Sequence, residues 1–322
     1  MLEDITKYRQ EVMGMATIMI LMGHTVFYGP DYVHFGCLND FITLGYSGVD
    51  IFLFLSGFGL FFSIEKNSRK VFYIHRIHRL LPSIIGVWIL YIAVNISSFS
   101  LSTFINPIRM MINGGYWYVG FIVMAYACYP YLYSFSKEHK GWFLLLLSFL
   151  LSFLLIVPFI IEGTAVSSNA KVCIVTRIPI FVLGMLYAMK KANWLNSISV
   201  NFALLILGLC MLYPYYVHNN LGGNEVFTTY YCIFIITPPV IFIYTKLMNA
   251  IGGSKLLRKI GSYSLEVYLV QVTIMMAMMT KFHCLGMNTV NNIIVSIVIV
   301  ISISIMLKYA TKIIFNSLIW SK

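Results

Sequence analysis

The sequence predicts an all-α, polytopic membrane protein, and three observations carry that prediction. Of its 322 residues 60% are hydrophobic and only 10% charged, with a mean hydropathy of +0.85, whereas a soluble globular chain carries about 25% charged residues. The apolar residues form long uninterrupted runs, which in lipid must be helices because every backbone polar group has to be satisfied within the segment. The basic residues lie between those runs and favour one side, as the orientation rule for membrane proteins requires.

Ten runs are read, at about 12–28, 44–63, 80–98, 116–135, 142–161, 173–189, 199–217, 229–248, 262–280 and 290–311. The first, VMGMATIMILMGHTVFY, follows MLEDITKYRQ, which lacks the layout of a cleaved signal peptide, so this span is expected to be retained. The second, LGYSGVDIFLFLSGFGLFFS, follows an outer loop near Gly29–Thr43, and the third follows an inner loop from about Glu65 to Arg79. Beyond an outer loop near Ser98–Gly115, the fourth opens on Tyr116, Trp117 and Tyr118, aromatic residues of the kind found in interfacial belts. The fifth precedes a sixth that opens on TRIPIFVLG, and the seventh and eighth flank an outer loop at Asn219–Thr228 with tyrosines at their ends. The ninth begins GSYSLEVYLVQ and the tenth closes the set.

With the N-terminus inside, all but Arg109, Lys171, Arg177 and Lys281 of the 22 Lys and Arg fall on the inner face, which places both termini in the cytoplasm. The net charge of +11 is thereby assigned to membrane orientation and not to nucleic acid. Six cysteines without a C-x-x-C pair indicate neither a zinc site nor a disulfide framework, although Cys37 and Cys284 fall on the same outer face. No polar stretch is long enough to fold alone, so residues 1–322 are read as one membrane-embedded domain with no separate soluble domain. No internal repeat is visible, which weighs against an inverted-repeat transporter.

Ionisable residues inside spans are costly and are functional candidates by default. His24 lies about four residues from the outer end of its run and Asp50 about six from its own, which at roughly 1.5 Å per residue is a similar depth. Alone, the first is an interfacial histidine and the second a helix cap; at matched depth they form a pair in which the carboxylate fixes the tautomer and leaves the other ring nitrogen as a base. In YIHRIHRLLP, Arg76 and Arg79 stand three apart on one helix face, a fork for phosphate oxygens or an anchor on anionic lipid heads. Arg177 either snorkels to the boundary or holds Asp50 or an anionic substrate group. Ser264, Tyr268 and Gln271 share a helical face that either bonds a neighbouring helix or lines a cavity.

These blocks, in this order, resemble the acyltransferase 3 family of membrane-bound acyltransferases that O-acetylate cell-surface glycans. The residues that carry the resemblance are MGHT around His24, GVDIFLFLSGF from Gly48, YIHRIHRLLP from Tyr73, Trp117-Tyr118, RIPIFVLG from Arg177 and IGSYSLEVYLVQ from Ile260. The resemblance implies that His24 is the family's essential histidine, that Asp50 belongs to the catalytic neighbourhood and that Arg76 and Arg79 serve the acyl-coenzyme A side. The family's arginine, ten positions before its histidine, would fall at Met13; Arg9, one turn earlier and on nearly the same face, is the candidate replacement. Where the family often has a histidine late in the ninth span this chain has Gln271.

The expected activity is transfer of an acetyl group from cytosolic acetyl-coenzyme A to a hydroxyl of a cell-surface or capsular polysaccharide or its lipid-linked precursor. His24, oriented by Asp50, would be catalytic, and Arg9, Arg76 and Arg79 would bind the donor. Arg177, Trp117, Ser264, Tyr268 and Gln271 would line the cavity. Acetyl-coenzyme A is then a substrate and no bound cofactor or metal is expected; the partners are the donor, a glycan acceptor and membrane lipids, and the location is the plasma membrane of a bacterial cell. The alternatives are a proton-coupled transporter or flippase of a lipid-linked glycan, with His24 and Asp50 as the proton relay, and transfer of another acyl group such as succinyl.

Overall fold

A computed structural model describes residues 2–27, 44–161, 170–192, 195, 198–207, 209, 225–280 and 289–319. Among these residues all regular structure is helical. The helices are α1 (Leu2–Phe27), α2 (Gly48–Lys66), α3 (Arg69–Val94), α4 (Leu101–Asn113), α5 (Trp117–Glu138), α6 (Gly141–Ile161), α7 (Ala170–Thr176), α8 (Ile178–Ala188), α9 (Glu225–Ala250), α10 (Lys255–Ser262), α11 (Ser264–Thr280) and α12 (Thr289–Ile319). Serine hydroxyls open three of them: Ser68, Ser100 and Ser254 accept the amides of Val71, Thr103 and Leu257, satisfying one otherwise orphaned N–H in each first turn.

Among the described residues five stretches are long and apolar enough to cross a bilayer: Gly48–Lys66, Arg69–Val94, Gly141–Phe159, Ala170–Ala188 and Ile294–Ile313; Phe234–Ala250 and Ser264–Met275 are shorter apolar helices. Helix covers the described part of each of the ten predicted runs, but length and apolarity together single out five. The predicted loops at 29–43 and most of 219–228, with Cys37 and Cys284, lie outside the described residues.

The expected outer loop near Ser98–Gly115 is largely helix. In α4 the side chains of Leu101, Phe104, Ile108 and Ile112 are exposed along one face while Pro107 and Met110 are buried on the other; that spacing is helical, and Asn106, Pro107 and Arg109 hide it from a search for unbroken apolar runs. The aromatic residues that follow are no interfacial belt. Tyr116 and Tyr118 are buried, because α4 leads the chain back into the bundle and the turn at Gly114–Tyr116 sits against α11.

With no hydrophobic force between helices in lipid, close packing of backbones holds a bundle together, and small residues permit it. At the α2–α8 crossing a Cβ on Gly57 would overlap the carbonyl oxygen of Phe181, and one on Gly184 that of Phe54. Gly14 and Gly261 do the same between α1 and α10, against the carbonyls of Leu257 and Gln10. Gly45 and Gly48 set α1 against the start of α2, beside Met19, Gly23 and Ala16. Glu11, fully buried, adds an ionic clamp: Arg258 Nη2 and Nε reach its Oε1 at 2.6 and 3.0 Å.

Gly86 offers a comparison, since a Cβ there meets only the end of the Leu307 side chain, which can swing away. Gly184→Ala is expected to cost about 1–3 kcal/mol, the usual scale of overpacking, and Gly86→Ala less than that. Thermal loss of the monodisperse peak in size-exclusion chromatography checks this; a Gly184→Ala protein as stable as Gly86→Ala contradicts the packing assigned to the crossing.

Candidate functional site

Asp50 occupies the first turn of α2 and Arg177 the N-cap of α8, where the chain breaks after α7 and restarts with Pro179. α2 and α8 run side by side in the same direction, so their N-terminal ends meet. Arg177 Nε stands 3.4 Å from Asp50 Oδ1, and the residues are 3% and 2% exposed. Arg177 Nη1 also donates to the Cys173 carbonyl at 3.3 Å, and the guanidinium lies 4.7 Å from the centroid of the Trp117 ring. Of the two roles open to Arg177 in the sequence, the structure selects the buried partner of Asp50.

His24 lies one turn before the end of α1, beside the side chain of Gln271 from α11. Gln271 is 1% exposed, and its Oε1 is buried with no hydrogen-bond partner among the described residues. The expected pairing of His24 with Asp50 is thus replaced by two pairs, His24 with Gln271 and Asp50 with Arg177. The reason is register. Gly48 abuts Ala16, so Asp50 is level with that part of α1, eight residues and about 12 Å short of His24.

The two pairs are joined through the turn before α5. Tyr268 Oη donates to the Gly115 carbonyl at 2.9 Å, Tyr116 Oη hydrogen-bonds Thr273 Oγ1, and Trp117 covers Arg177. Tyr118 packs its ring 5.0 Å from that of Tyr268 and lines the same cavity as Ser56.

Nearer the N-terminal end of the first helix, α1, α2, α3, α5, α10, α11 and α12 enclose a cavity of ≈ 370 Å³. Arg9, Arg76 and Arg79 line it together with Ser264, below a roof that includes Phe52, Ser56, Tyr118 and Val119. The Arg9 guanidinium fills the space that the missing Cβ of Gly59 leaves free. Arg76 Nη2 donates to Ser63 Oγ at 3.2 Å, and its guanidinium carbon is 5.7 Å from the ring centroids of both Phe72 and Tyr126. The Nε atoms of Arg9 and Arg76 are buried without a hydrogen-bond partner among the described residues. Guanidiniums held this way, with free N–H groups and no opposing carboxylate on the lining, are arranged to receive anionic oxygens. Arg9 and His24 stand on one helix, about 22 Å apart along its axis.

The predicted face of α11 therefore divides its work: Ser264 lines the cavity, Tyr268 holds the turn and Gln271 reaches His24. Sequence reasoning missed Thr273, Glu266, Glu11 and Lys308. Of these, Glu266 carried a visible signal, as a carboxylate within the ninth apolar run. Among the described residues no group of three His, Cys, Asp or Glu side chains is placed to hold a metal ion.

Residues 14–309 match the profile of the acyltransferase 3 family, described as an acyltransferase domain, and the chain belongs to that family. No curated protein and no solved structure matches the chain. Arg9 precedes the matched stretch, so its place in the cavity is a finding of the structure alone.

A buried ion pair is costly to break one side at a time, by about 3–5 kcal/mol, while joint replacement by apolar groups is far milder. Asp50→Leu and Arg177→Met are each expected to lower the melting temperature in detergent sharply, and the double variant to regain much of the loss. Additive losses in the double variant contradict the pairing.

Proposed function

We propose that this acyltransferase is a multi-pass plasma-membrane enzyme of a bacterial cell. It moves an acetyl group from cytosolic acetyl-coenzyme A to a hydroxyl of a cell-surface or capsular polysaccharide, or of its lipid-linked precursor. The observation that carries the reading is the convergence of Arg9, Arg76 and Arg79 on one inner cavity, at one end of the helix that bears His24 near its other end. In this reading the ten apolar runs are all spans, both termini are cytoplasmic, and the whole chain works as one membrane-embedded domain.

The donor's phosphates rest on the arginine fork, which matches phosphate oxygens in charge and geometry. Arg9 fills the role that Met13 leaves open. The pantetheine arm passes the roof of the cavity and carries the thioester towards His24. There the imidazole takes the proton of the acceptor hydroxyl, the hydroxyl oxygen bonds to the thioester carbonyl carbon, and the carbon–sulfur bond breaks. The imidazolium returns its proton to the departing thiolate. Proton transfer by a positioned imidazole is the commonest form of general-base catalysis and suits that exchange. An acyl-histidine intermediate delivers the same products in two steps. Gln271 orients the ring, while Asp50 and Arg177 hold the surrounding framework.

Release of coenzyme A from acetyl-coenzyme A by purified protein, with crude surface glycan as acceptor, checks the reading. His24→Ala, folded as wild type, is expected to lose about 10²–10⁴-fold of the glycan-dependent rate, the usual worth of a general base. Faster turnover of succinyl-coenzyme A would reassign the acyl group and leave the mechanism standing. Wild-type protein that consumes no thioester yet moves a lipid-linked glycan across the bilayer would overturn the enzyme reading in favour of a proton-coupled flippase.

A further inference from the structure

The inner cavity holds more positive charge than its three arginines supply. Lys308, from α12, also lines it. Its ammonium donates to the Ser262 carbonyl and stands 4.2 Å from the centroid of the Tyr263 ring. Arg9, Arg76, Arg79 and Lys308 thus share ≈ 370 Å³, and no Asp or Glu is among the lining residues. Glu266 acts on Lys308 through space; it is buried and accepts from Ser83 Oγ at 3.1 Å, so it offsets one of the four charges from behind the wall.

Like charges gathered in a low-dielectric bundle require counter-anions of comparable total charge. A diphosphate bridge offers one negative charge on each phosphate, and a terminal phosphomonoester adds about −1.5 to −2 at neutral pH. The cations also differ in place and kind. Arg76 sits with Phe72, Tyr126 and Ser63 on the α2–α3–α5 side, with Arg9 against Gly59. Lys308 sits across the cavity beside Ser262 and Tyr263, where Arg79 also acts on it. Planar guanidinium forks suit a diphosphate, and a compact ammonium suits a terminal phosphate group.

We propose that Lys308 is a fourth anion-binding residue of the donor site and that with Arg79 it takes a phosphomonoester separate from the diphosphate. The site thereby selects nucleotide thioesters that carry this additional phosphate. The inference rests on the reading of the cavity as a donor site, and the test separates the two.

Calorimetric titration of the purified full-length protein in nonionic detergent, with coenzyme A and with 3′-dephospho-coenzyme A, reads the preference directly. Wild type is expected to bind coenzyme A tighter by about tenfold or more, the scale of one charge-assisted contact. Lys308→Gln should lose most of that preference by weakening coenzyme A alone, and Lys308→Arg should keep it. Equal binding of the two nucleotides by wild type, or an equal loss for both in Lys308→Gln, overturns the inference and leaves the donor site intact. If wild type binds neither nucleotide but takes up phosphatidylglycerol micelles, the cavity is a lipid-headgroup site and the donor reading falls too. Should Lys308→Gln not fold, amine-reactive labelling of wild type followed by mass spectrometry decides the same point. Coenzyme A should shield Lys308 and the dephospho form should not; equal shielding overturns the inference.

Discussion

The buried pair of Asp50 and Arg177 ties one half of this bundle together. It brings the N-terminal ends of α2 and α8 to one level, just ahead of the crossing at which Gly57 and Gly184 let the two backbones touch. Arg177 then offers its face to Trp117, which fixes the turn that begins α5. That turn receives Tyr268 at the Gly115 carbonyl and Thr273 at the Tyr116 hydroxyl, both from α11. Two residues before Thr273, Gln271 lies beside His24. The charge pair and the histidine thus lie at the two ends of one series of contacts. In water such a pair is replaceable; in lipid each charge left without the other is prohibitive, which gives the pair its hold over the helices it joins.

The half around the cavity is built on the opposite principle. Instead of cancelling charge, it accumulates cations around a cavity and denies them carboxylates on the lining. Glu11, the buried acid nearest to Arg9 in sequence, is spent on Arg258. Glu266 is turned towards Ser83. The helices that meet here are held by backbone contact at Gly14 and Gly261, so the arrangement of the cations does not rely on their own pairing. A preorganised, under-compensated cationic cavity is what an anionic ligand needs, since its binding then replaces repulsion with attraction.

Much of this was legible in the sequence, because charge in an apolar run stands out. His24, Asp50 and Arg177 stand out that way, Arg76 and Arg79 by their spacing of three in YIHRIHRLLP, and the face shared by Ser264, Tyr268 and Gln271 by helical spacing. What the sequence could not supply was register between helices. Depth counted from run ends paired Asp50 with His24, whereas the contacts of Gly45 and Gly48 slide α2 along α1 and leave Asp50 to Arg177. Lys308 was hidden for the opposite reason: a lysine near the end of an apolar run is the ordinary signature of the cytoplasmic side, and only the packing of α12 on α11 turns it into the cavity. α4 escaped because its apolar residues come at helical spacing in a segment too polar to read as a span.

In the proposed reading the reaction is divided across the membrane, with the donor held at the arginine cavity and the proton exchange carried out near the far end of α1. Proteoliposomes with the protein in one known orientation, radiolabelled acetyl-coenzyme A on one side and glycan acceptor on the other, examine that division. Label is expected in the glycan only when the thioester is on the face of Arg76 and Arg79 and the acceptor on the opposite face. Equal labelling with both substrates on the Arg76 side, or with the two exchanged, would contradict it.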